Sequence, residues 1–99
     1  MNPAIDFPWD KQLVAADALV KAGACVLHSI NFNGMTVVGD LSVYDGVNAG
    51  GNLIAVITLR SAIQVSCQPF TMFFDCEMED GIYLDFDATL TANFTVMYK

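Results

Sequence analysis

The sequence predicts an all-β protein: a single-domain antiparallel β-sandwich, jelly-roll-like, with an extended N-terminal arm over residues 1–17 and the sandwich domain over residues 18–99. Three observations predict it. From about residue 24 onward, short apolar runs recur at spacings of about ten residues, as in sandwiches and barrels. Gly and Asn punctuate those runs, and no helical period is sustained among them. A chain of 99 residues with 55% hydrophobic residues suffices for one small core and no more.

The first segment, "MNPAIDFPWDKQLVAADALVKAG", differs from the rest. Pro3, Pro8, Phe7 and Trp9 precede any strand pattern in a stretch too short for a core of its own. "DKQLVAADALVKAG" fits either a helical turn through Leu13, Ala16 and Val20 or an edge strand over Ala18 to Lys21; an arm leading into a first strand is the favoured reading. "CVLHSINF" then places Val26, His28, Ile30 and Phe32 on one face, and Asn33-Gly34 supplies a tight-turn signal. In "GDLSVYDG", Leu41 and Val43 oppose Ser42 and Tyr44, and Asp45-Gly46 closes the strand. "VNAGGNL" reads as a loop. "LIAVITLR" is nearly all apolar, the mark of a central strand covered on both faces. Residues 61–69 are ambiguous, with Pro69 marking a strand start or an edge. Strands follow over Phe70 to Met78, Ile82 to Phe86 and Asn93 to Tyr98, the first two joined at Asp80-Gly81.

Composition excludes several function classes. Four basic against eleven acidic residues give a net charge of −7, with no cationic run to track a phosphate backbone, so nucleic acid is not an expected partner. Asp, Asn, Gly or Arg interrupts every apolar window well short of the roughly 20 residues of a spanning helix, so no membrane partner is expected either. The N-terminus lacks the pattern of a signal peptide. Charged residues are only 15% of the chain, and a mean hydropathy of +0.47 suggests apolar surface covered by another protein. Cys25, Cys67 and Cys76 are odd in number and lack CxxC spacing, which favours buried thiols over disulfides or zinc.

Six carboxylates, Asp75, Glu77, Glu79, Asp80, Asp85 and Asp87, crowd the C-terminal third. Their alternation with Phe74, Cys76, Met78, Leu84 and Phe86 reads as the wet face of a half-buried hairpin. A calcium-like cation bridging that hairpin and a glycosidase-like carboxylate pair are the weaker alternatives. His28 and Ser29 point to opposite faces of a strand, as do Cys25 and His28, so His28 reads as a hydrogen-bonded structural histidine. Gly46, Gly50 and Gly51 match no phosphate-loop spacing. The aromatics read as core and interface mass, with Tyr44 or Tyr83 available to stack on a sugar. No catalytic residue, metal site or cofactor is expected.

"LVKAGACVLHSINFNG", "GDLSVYDG", "GGNLIAVITL" and "FDCEMEDGIYLDF" with "NFTVMYK" together resemble small virion structural proteins of tailed bacteriophages. The matching residues are Val20 to Ala24 with Leu27, Val43 to Gly46, Gly50 to Ile57, and Gly81 to Phe86 with Thr95 to Tyr98. Cys25, where a small residue is usual, and the Pro- and Trp-containing arm depart from the pattern. The resemblance implies a non-enzymatic capsid decoration or cement subunit of the virion, assembled in the host cytoplasm. Its partners would be the major capsid protein and copies of itself in a homo-oligomer, often a trimer. The alternative is a receptor- or carbohydrate-binding module of a head fibre, spike or tail. Pro3, Ile5, Phe7, Pro8 and Trp9 are the expected capsid-binding residues, on an arm that orders when it meets a neighbour.

Overall fold

The computed structural model describes residues 9–59 and 70–99, and these form eight strands without a helix. They are β1 (Asp10–Val14), β2 (Ala18–Ala22), β3 (Cys25–Val37), β4 (Gly39–Asp45), β5 (Asn52–Leu59), β6 (Phe70–Met78), β7 (Gly81–Phe86) and β8 (Thr91–Tyr98). Sheet A has the order β1-β8-β3-β6 and sheet B the order β2-β7-β4-β5, all neighbours antiparallel. The all-β, two-sheet, single-domain sandwich that the alternating pattern predicts is therefore present.

The pairing is nested: β1 with β8, β2 with β7, β3 with β6, and β4 with β5. Each strand thus meets its mirror image in the chain, and β4 and β5 are the only successive strands, among the described residues, that share a sheet. Phe94 of β8 lies at the centre, fully buried, with its ring 5.7 Å from Phe32 in its own sheet and 5.6 Å, edge to face, from Phe86 in the other. Leu27, Ile30, Leu41, Val43, Ile82, Leu84 and Val96, each fully buried, complete the layer.

The chain bends at Glu79-Asp80 and β7 starts at Gly81, but the bend does not join a hairpin. β6 pairs with β3 in sheet A and β7 with β2 and β4 in sheet B, so the chain changes sheets there. Asp45 holds the crossing: its carboxylate accepts backbone N–H groups from Glu79 (3.0 Å), Asp80 (2.8 Å) and Gly81 (3.3 Å). Those donors, Glu79 first, keep its pKa below the ordinary carboxylate value. Gly81 adopts φ 149°, and a Cβ there would lie 2.5 Å from the Lys21 carbonyl oxygen and 2.9 Å from that of Gly46. Only glycine fits that close approach of three backbone segments.

Three further expectations change. Asn33-Gly34 makes no turn, because β3 runs through it to Val37. A turn signal carries little weight once the strand on both sides finds partners: Gly34 pairs with Asn93, with bulges on either side of it, and Asn33 bonds to Thr95. β5 is a strand as expected, yet it lies at the edge of sheet B, with Leu53, Ile54 and Val56 exposed. The reason is topological, since nesting puts the β4-β5 hairpin at the end of its sheet. Residues 10–14, assigned to the arm, are the edge strand β1, paired with β8 from Asp10 opposite Tyr98 to Val14 opposite Phe94. The edge strand expected over Ala18 to Lys21 is β2. Cys25 is buried and Cys76 half-buried, both free, and burial raises both thiol pKa values; Cys67 and the ambiguous segment 61–69 lie outside the described residues.

Candidate functional site

Two surfaces stand out, one on the outside of each sheet. On sheet B, cross-strand register builds a single row across all four strands: Leu19 of β2, Tyr83 of β7, Tyr44 of β4 and Leu53 of β5. The two tyrosine rings are tilted against each other with centroids 6.4 Å apart. Leu19 and Leu53 remain exposed, as does Val56 further along β5, opposite Ser42. The sequence marks Tyr44 and Tyr83 as outward-facing by strand parity, but their adjacency follows from a pairing of distant strands. Beside this row, Asp85 has its pKa raised by burial and by the neighbouring Asp17, whose carboxylate also accepts the Phe86 N–H at 2.7 Å. Tyr83 is raised likewise, by burial first and then by the same two acids.

On sheet A, the register slips between Leu27 and Ser29, so His28 has no Cα partner on either side. The slip also reverses parity: Ile30 and Phe32 face the core, whereas His28 turns outward, away from the face on which simple alternation places it. Opposite, Phe74 and Asp75 of β6 are passed over in the same irregularity, and Asp75 adopts φ 46°, a left-handed conformation that non-glycine residues rarely occupy. The two distortions bring His28 Nδ1 within 2.5 Å of Asp75 Oδ1. An ionised carboxylate only accepts, so Nδ1 carries the proton and Nε2 is left facing the other way. Trp9 stacks on the imidazole at 4.2 Å, nearly parallel, and Phe73 meets it edge-on at 5.6 Å while staying 68% exposed itself.

Beside this cluster runs a ladder of polar side chains. Thr71 Oγ1 donates to Asn31 Oδ1 (2.6 Å), Asn31 Nδ2 donates to Asn33 Oδ1 (2.6 Å), and Asn33 Nδ2 donates to Thr95 Oγ1 (3.0 Å). The chain of bonds joins β6, β3 and β8 and sets the orientation of both amides.

The structure separates the carboxylates that sequence proximity groups together. Asp75 and Glu77 belong to sheet A, whereas Asp85 lies on sheet B and Asp87 just beyond β7, so a cation bridging a β6-β7 hairpin has no hairpin to bridge. Asp87 instead organises the β7-β8 connection, accepting N–H groups of Asp40, Thr89 and Leu90, with Asp40 the main cause of its lowered pKa. Of the expected arm residues, Trp9 packs on His28 within the same molecule; Pro3, Ile5, Phe7 and Pro8 lie outside the described residues. His28 is hydrogen-bonded, as expected, but to an acid 47 positions away that sequence proximity does not offer. Sequence reasoning missed Asn31, Thr71, Phe73 and Thr95 as a unit; strand parity was the available signal, and the bulges hid it.

No family model matches this chain, and neither the curated proteins nor the solved structures include a significant match to it.

Proposed function

We propose that this chain is a non-enzymatic structural subunit of a tailed-phage virion, a decoration or cement protein that binds the major capsid protein and stabilises the head. One observation carries the reading: the row Leu19, Tyr83, Tyr44 and Leu53 crosses the outside of sheet B, and Leu19, Leu53 and, further along β5, Val56 remain exposed there. Burying such a side chain completely is worth about 1.5–3 kcal/mol, so each of these half-exposed residues offers about 1 kcal/mol to a partner. A face of that kind suits association with copies of the same chain, as a homo-oligomer such as a trimer, and with a shell.

The nested strand pairing supports the reading at the level of fold. Such nesting suits a jelly roll of two Greek keys, an architecture common in viral capsid proteins and lectins. Fold alone assigns no function, so the weight stays on the surface and on the sequence motifs of the resemblance. Of those motifs, "VYDG" ends β4 and carries Asp45, and "GIYLDF" forms strand β7. Pro3, Ile5, Phe7 and Pro8 precede β1 and extend the proposed contact to a neighbouring subunit.

The test is the solution mass of the purified protein, followed by co-sedimentation with undecorated capsids of its source virus. An oligomer that pellets with the shell is expected, with Leu53→Glu weakening both associations by tenfold or more. Deletion of residues 1–8, which leaves β1 whole, should reduce pelleting while the sandwich stays folded. A monomer that remains in the supernatant refutes the proposal.

A further inference from the structure

The outer face of sheet A is built at a cost that the capsid reading does not use. Asp75 occupies a strained backbone conformation, both strands around it are bulged, and the result is an ordered outward cluster of Trp9, His28, Asp75 and Phe73. Bulges and left-handed non-glycine residues gather where a side chain must be aimed at something outside the fold. Phe73 is the most exposed large apolar side chain among the described residues, and it lies between two sets of hydrogen-bonding groups.

We propose that this face binds a neutral glycan of hexose or N-acetylhexosamine units, with one ring stacked on Phe73 and hydroxyls held by Asp75 on one side and by Asn31 and Thr71 on the other. The C–H face of a pyranose packs on an aromatic ring, and its rim of hydroxyls needs fixed donors and acceptors. Both are present in the right order. Along β6, Thr71, Phe73 and Asp75 follow one another at two-residue steps, about 7 Å each, so the strip has the length of roughly two sugar units. Asn31 lies directly opposite Thr71 in the register.

The ladder supplies the donors in a rigid form. With Asn31 Oδ1 and one N–H engaged, and Asn33 likewise, each amide keeps one N–H, and the Thr95 hydroxyl, which accepts from Asn33, keeps its own proton to donate. His28 occupies one oxygen of Asp75 and leaves the other as an acceptor for a hydroxyl pair. Little side-chain freedom is left to lose on binding. Charge selects the ligand class: Asp75 and Glu77 on the same strand, in a chain of net charge −7, repel sialylated and uronate glycans.

This inference is independent of sheet B, since a monomer that ignores capsids but binds sugar would refute the preceding proposal and leave this one standing. The test uses the full chain on a glycan array carrying neutral and anionic oligosaccharides, followed by backbone NMR titration with the strongest neutral binder. The expected result is saturable binding with a Kd between about 10 μM and 10 mM, the range of a shallow site. Shifts should cluster at Asn31, Thr71, Phe73 and Asp75. Phe73→Ser should weaken binding at least tenfold at an unchanged melting temperature, because the ring is mostly in water; Thr71→Val, which removes one hydroxyl of the ladder, should weaken it severalfold; Thr58→Ala on sheet B should change nothing. Silence across the neutral glycans, preference for sialylated ones, or shifts that map to sheet B overturns the proposal.

Discussion

Asp45 ties the end of β4 to the point where the chain crosses from sheet A to sheet B, and replacing it tests whether that crossing is held by charge. Three backbone N–H groups donate to its carboxylate. Each such bond contributes about 1 kcal/mol net, and water replaces part of the loss at an exposed site, so Asp45→Ala should cost about 2 kcal/mol. For a domain of this size each kcal/mol moves Tm by roughly 4–8 °C, which makes the expected drop about 8–16 °C at pH 7. Asp45→Asn keeps one acceptor oxygen and should lose about half as much.

The pH dependence sharpens the test. The folded-state pKa of Asp45 lies below its unfolded value because the N–H donors favour the charged form. Its contribution is therefore fully present above the unfolded pKa, near 3.9, and is lost as pH falls through the folded value. The protonated carboxyl of Asp45 and the amide of the Asp45→Asn variant both offer a neutral acceptor oxygen, so the two proteins should converge in acid. Asp87, also lowered, titrates in the same region but is common to both proteins and cancels in the difference. Chemical denaturation of the pair from pH 7 to pH 2 reads the gap directly. Equal stability at pH 7, or a gap that persists unchanged at pH 2, refutes a charge-held crossing.

Two further outcomes follow from the packing. Phe94→Ala empties the contact between Phe32 and Phe86 and should cost about 3–5 kcal/mol, a large part of the roughly 5–15 kcal/mol typical of such a domain; a loss under about 1 kcal/mol in urea melts would contradict the central place of that ring. Asp85 is raised by burial and by Asp17, so its protonated form favours the fold below the unfolded pKa, and that contribution is lost as pH rises through the folded value. Asp85→Asn should thus gain about 0.5 kcal/mol at pH 7, with the gain fading as pH falls through the folded value; a destabilised variant at neutral pH would show that the acid pair is not repulsive.

The strands themselves were legible because side-chain alternation is a local property. Leu41 and Val43 face inward and Ser42 and Tyr44 outward as parity requires, and the acids of β6 and β7 line the wet faces expected of them. What parity does not carry is partnership. The spacing of Asp80-Gly81 is equally compatible with a hairpin and with a change of sheet, and only the long-range pairing of β6 with β3 and β7 with β4 chose between them. His28 shows the same limit at one residue: a single bulge moved it from the core face to the surface and brought Asp75 to it.

By itself, then, the sequence determined the class of fold, the inner and outer faces of most strands, and the low share of charged residues. Those follow from hydrophobic period and composition, which act over a few residues. The nested order of strands, the edge position of β5, the tyrosine row and the aromatic and amide cluster on sheet A were decided only in the tertiary structure. Each needs contacts between segments far apart in the chain, and their geometry is set when two apolar faces close on each other and exclude water.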